Sequence, residues 1–156
     1  MRRRKLTIPL LLFFLVVAAP GQQEQRSVLL PAHEVKAVSN RYALERSERY
    51  DGTWQPSKAD LDGLDASLSQ ISEMKIFGWD SRIHIERPEQ YFRQYVAVKV
   101  SGQSRIFINA FRWPDPPPQN WHDHLYVVYD GAIGFWQALY DPYTKRFSNL
   151  RINPRA

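Results

Sequence analysis

FRQYVAVKVSGQSRIFINAFR, residues 92–112, reads as a β-hairpin before any other part of the chain declares itself. From Phe92 to Val100 the apolar residues alternate, so that Val96, Val98 and Val100 share one face. Ile106, Ile108 and Ala110 alternate again from Arg105 to Arg112. A period of two is the period of a strand, whose successive side chains point to opposite sides of a sheet. Ser101-Gly102-Gln103 turns the chain between the two runs.

Downstream, the stretch from Trp113 to Asp123 holds Pro114, Pro116, Pro117 and Pro118, too many prolines for a sheet interior. The pattern then predicts a strand over His124–Tyr129, with Leu125, Val127 and Tyr129 on one face. Asp130-Gly131 is a hairpin signal, followed by strands over Phe135–Tyr140 and Arg146–Ile152 with a turn at Asp141-Pro142-Tyr143-Thr144. Upstream, Arg82–Glu86 is a short candidate strand, and the clearest helix spans Lys58–Met74. Ser57 is its N-cap, with Asp60 completing an acidic capping box. Leu61, Leu64, Leu68 and Ile71 recur at spacings of three and four and make one apolar stripe. Asp51-Gly52 reads as a turn, Ser27–Leu30 as a short strand and Ala32–Arg49 as a marginal helix with a Glu45–Arg49 pair.

These elements predict an α+β domain: one main helix packed on a four- to five-stranded antiparallel meander, in a cystatin-like wrap. The alternative is the cone-shaped α+β barrel of the NTF2-like type, which requires Ala32–Arg49 to be a packed helix. The expected organisation is a signal peptide over residues 1–21, a polar N-terminal segment with a marginal helix or strand over 22–50, and a single α+β domain over 51–156.

The signal peptide rests on Arg2, Arg3, Arg4 and Lys5, an apolar run from Leu6 to Ala19, and the small residues Ala18, Ala19 and Gly21, after which the cut is placed. The run of about 14 residues is shorter than the ~20 that a spanning helix needs. It predicts a secreted or periplasmic protein that meets the membrane only through an uncleaved leader. Removing the leader also removes the basicity. Four of the 21 Lys and Arg lie in it, which leaves 17 against 16 acidic residues, so the formal +5 carries no nucleic-acid footprint. Cysteine is absent, which excludes disulfides, zinc-thiolate sites and thiol nucleophiles.

Trp121-His122-Asp123-His124 is the cluster richest in metal-binding and catalytic residue types. In an extended segment His122 and His124 point the same way and can share a metal ion, with His33, His84 or Asp115 as sources of a third ligand. No Gly-x-Ser-x-Gly elbow and no cofactor motif occurs. Aromatics, 13% of the chain, crowd the second half. They either fill a two-sided core under the N-terminal segment or form a binding face. Trp113, Trp121 and Trp136 are the candidate binding residues.

Trp54-x-Pro56, Gln94-Tyr95, Ile108-Asn109-x-Phe111, Trp121, Val128-Tyr129-Asp130-Gly131, Phe135-Trp136, Tyr140-Asp141, Phe147 and Asn153 form a frame. Across residues 54–153 this frame resembles a group of small, uncharacterised secreted bacterial proteins. The resemblance implies an envelope or extracellular origin and brings no activity or site residues; Asn153-Pro154 departs from the Asn-Gly expected there. The leading expectation is a non-enzymatic binding or interaction domain with a protein or glycan partner and no cofactor. The alternatives are a small metal-dependent enzyme or hydrolase using His122, Asp123 and His124, and a self-associating envelope structural protein.

Overall fold

The computed structural model describes residues 25–42, 44 and 48–154; the expected signal peptide and Glu45 lie outside them. The elements in chain order are β1 (Ser27–Leu29), α1 (Val35–Arg41), β2 (Tyr50–Gly52), α2 (Lys58–Ala66), β3 (Phe92–Val100), β4 (Gln103–Phe111), β5 (Phe135–Asp141) and β6 (Arg146–Ile152). Short 3-10 turns occupy Ala32–Glu34, Leu68–Glu73, Pro88–Gln90 and Ala132–Gly134.

β3 to β6 form the expected antiparallel meander, in the order β3-β4-β5-β6. The outer edge of β3 is shared by two short strands: β1 runs parallel beside residues 93–95, and β2 runs antiparallel beside Lys99 and Val100. The result is a six-stranded mixed sheet, open between the β1/β2 edge and β6, so the closed-barrel alternative is corrected. Asp51-Gly52 is also corrected, from a turn to part of β2. Among the described residues no helix is long and apolar enough to cross a membrane.

Both faces of the sheet are buried. Tyr95, Ile106, Ile108, Ala110, Trp136, Ala138 and Tyr140 point to the first face, where they meet Leu64, Leu68 and Ile71. Val96, Val98, Val100, Phe107 and Leu139 point to the second, where Leu30, Val38 and Leu125 cover them. A third cluster, Phe92, Phe111, Trp121 and Phe135, extends that second face. Strand alternation sends half the aromatics each way, and the two-sided core under the N-terminal segment is the arrangement that accommodates them.

The main helix begins as expected. Asp60 N–H donates to Ser57 Oγ (3.2 Å) and Ser57 N–H to Asp60 Oδ2 (2.8 Å), a complete capping box. It ends as an α-helix earlier than the apolar stripe does. Ser67 Oγ donates to the Gly63 carbonyl (2.7 Å), a back-bond that bends helices, and the chain continues as 3-10 from Leu68 to Glu73. Gly63 faces the sheet so closely that a Cβ there would stand 3.3 Å from the Tyr140 hydroxyl. The N-terminal helix is shorter than expected, Val35–Arg41, with Tyr42 already extended.

Two expected strands are absent. Residues 82–86 carry no strand, although Ile85 is buried. Residues 124–129 are excluded from the sheet because β4 pairs directly with β5, Phe111 beside Phe135 through Ile106 beside Tyr140. The 124–129 segment lies over the second face instead, and its main chain is bonded by side chains rather than by a ladder.

Candidate functional site

Those side chains form a row. Gln94, Asn109 and Gln137 stand in register across β3, β4 and β5, buried in the middle of the second face. Gln94 Nε2 donates to the carbonyls of Trp121 (2.6 Å) and His124 (2.7 Å), and its Oε1 accepts from Tyr126 N–H (2.8 Å) and Asn109 Nδ2 (3.0 Å). Asn109 Nδ2 also donates to the Tyr126 carbonyl (2.7 Å). Gln137 Nε2 donates to Asn153 Oδ1 (3.2 Å), and Asn153 Nδ2 donates to the carbonyls of Val128 (2.6 Å) and Asp130 (3.1 Å). Buried polar groups need partners, and here the sheet's amides and the loop's main chain satisfy one another. The row was missed in the sequence, although amides interrupting strongly apolar strands are its visible signal.

The row fixes where His124 sits. Residues 121–124 are turned rather than extended, with Asp123 N–H and His124 N–H both donating to the Asn120 carbonyl (3.1 Å each). His122 therefore does not share a face with His124; its ring lies against Trp121, with centroids 4.4 Å apart. His122 and Asp123 are both exposed, and the expected His122–Asp123–His124 grouping is corrected. His124 instead meets residues 90 positions earlier. Its Nδ1 is 3.2 Å from Glu34 Oε1, and His33 Nε2 is 3.4 Å from the same oxygen. Glu34 Oε2 accepts from Leu125 N–H (3.0 Å), and the carboxylate side chain is only 10% exposed against 69% and 60% for the two imidazoles. His33 had a place among the possible third ligands; Glu34 had none.

The tryptophans separate. Trp136 is fully buried and Trp121 nearly so. Trp113 is 47% exposed. Its indole rests on Gly134, where an added Cβ would fall 2.0 Å from the ring, and stands edge-on to Phe135.

A cleft of about 310 Å³ opens where the end of α1, residues 127–129 and the end of β6 converge. Arg41 and Arg151 flank it, Tyr42 and Tyr129 supply phenols, and Gln137 and Asn153 reach it from the polar row. Arg41 donates to the Tyr129 hydroxyl, and Tyr129 is 77% exposed. Burial pushes the Tyr42 phenol up to about 12, so it stays protonated and donates to Asn109 Oδ1 (3.4 Å). A wider depression of about 780 Å³ beside Asp65 and Arg93 offers less. There Arg93 is already committed to the carbonyls of Glu89 (2.8 Å) and Tyr91 (2.7 Å) and to the Tyr95 hydroxyl (3.0 Å).

No family model matches the chain, and neither the curated proteins nor the solved structures give a significant match.

Proposed function

We propose that this chain is an exported, non-enzymatic binding module of the bacterial envelope or extracellular space, and that its cleft takes a carboxylate-bearing sugar unit of a glycan. The lining of the cleft carries this reading. Among the described residues its lining holds two guanidinium groups, two phenols and two carboxamides beside Val127, Val128 and Ile152, and no Asp, Glu, His, Lys, Ser or Cys. Guanidinium groups match a carboxylate bidentately, while phenols and amides serve hydroxyls. Positive charge set beside hydrogen-bonding phenols and amides favours recognition of an anionic, hydroxyl-rich ligand.

Saturation-transfer NMR with glucuronate and glucose tests the reading. Glucuronate should give saturable transfer that is lost in Arg41→Ala and Arg151→Ala, and glucose should give much less. Equal response to the two sugars, or an undiminished glucuronate signal in both variants, would overturn it.

Export rests on the charged, apolar and small-residue order of residues 2–21 and on the resemblance to secreted bacterial proteins. Expressed with its leader in a bacterial host, the mature protein should begin near Gln22. Recovery of intact Met1 in the membrane fraction would replace release by anchoring. The layering is read as cystatin-like, supported by α2 lying on one face of the β3–β6 meander.

A further inference from the structure

We infer that His33, Glu34 and His124 form a binding site for a divalent transition-metal ion of the zinc class, which staples the N-terminal turn to the loop over the second sheet face. The first argument is distance. With bonds of about 2.0–2.1 Å, the donors around a tetrahedral zinc lie about 3.3–3.4 Å apart. Two edges of the cluster, 3.2 Å and 3.4 Å, already have that length, and all three ligand atoms lie within 4.8 Å of one another. Both imidazoles are more than half exposed and their rings already meet edge-on, with centroids 6.4 Å apart, so a rotation of exposed side chains closes the third edge.

The second argument is charge. Glu34 is a nearly buried carboxylate, and a buried charge requires a counter-charge. Among the described residues its ion-pair partners are the imidazoles of His33 and His124. A divalent cation held between the two imidazoles and the carboxylate supplies a counter-charge directly.

The third is orientation. Ligating carboxylates are held by hydrogen bonds on their other side, and Leu125 N–H holds Glu34 Oε2 in this way. Gln94 in turn fixes the His124 main chain through its carbonyl. The 3-10 turn Ala32–Glu34 places His33 and Glu34 together. Two imidazole nitrogens and one carboxylate oxygen suit zinc and its neighbours rather than magnesium or calcium, which prefer all-oxygen shells. A fourth position is left for water.

Calorimetric titration of the mature protein with ZnCl2 tests this, with MgCl2 as the hard-cation control. One zinc should bind per chain and raise the melting temperature by preferential binding to the folded state. His33→Ala and His124→Ala should each weaken binding by more than about tenfold, whereas His122→Ala should leave it unchanged. Circular dichroism checks that the exposed-imidazole variants fold. The zinc-induced rise in the melting temperature of the unmodified protein is an independent readout. Absence of saturable zinc binding overturns the proposal, as does zinc binding that survives both His33→Ala and His124→Ala or that is lost in His122→Ala.

Discussion

Gln94→Leu should lower the stability of the domain by about 3–5 kcal/mol and free the loop from the second sheet face. The substitution keeps most of the side-chain volume but removes the partner of the Trp121 and His124 carbonyls and of Tyr126 N–H. Each group left buried without a partner costs about 1–3 kcal/mol. If the loop lifts to rehydrate them, it uncovers Phe92, Phe111 and Phe135, which pack against Trp121 in the third cluster, and loses that burial instead. Either route takes a large share of a total near 5–15 kcal/mol. Urea unfolding reads the loss, and limited proteolysis reads the loop, with new cleavage expected between Trp113 and Gly131. An unchanged midpoint with an uncut loop would show that the amide row is a bystander.

Leu64→Ala should cost about 2–5 kcal/mol, through lost transfer energy and the cavity left between α2 and the sheet. Leu64 is fully buried and belongs to the cluster that includes Ile106, Trp136 and Tyr140. Leu61, three residues earlier on the same helix, is only partly buried against that cluster. Leu61→Ala should therefore shift the thermal midpoint clearly less. Equal losses for the two would mean that α2 presents a different stripe to the sheet.

What could be read in the sequence was local. The 92–112 hairpin, β5, β6 and the stripe of α2 follow from periods of two and of three-to-four, which each segment carries by itself. The capping box at Ser57 and Asp60 is local in the same sense, since both partners lie within one turn.

The remaining decisions were made between distant parts of the chain. Residues 124–129 have a strand's alternation, yet β4 and β5 pair with each other and the amides of Gln94, Asn109 and Asn153 take the segment's main-chain groups. β1 was visible as a short strand, but its parallel placement beside β3 was not, because nothing in three residues specifies a partner. The tryptophans looked equivalent as candidates until packing buried Trp121 and Trp136 and left Trp113 half-open.

The candidate metal cluster divides in the same way. His124 stood out by its residue type and its neighbour His122, but extended spacing paired the wrong two histidines. The turn at Asn120 parted them, and the fold brought His33 and Glu34 across instead. The sequence by itself determined the 92–112 hairpin, β5, β6 and the start of α2, because side-chain period and capping act within a few residues. Only the tertiary structure decided which polar groups meet, because a buried amide or carboxylate takes the partner that packing brings within hydrogen-bond reach, however far away that partner lies along the chain.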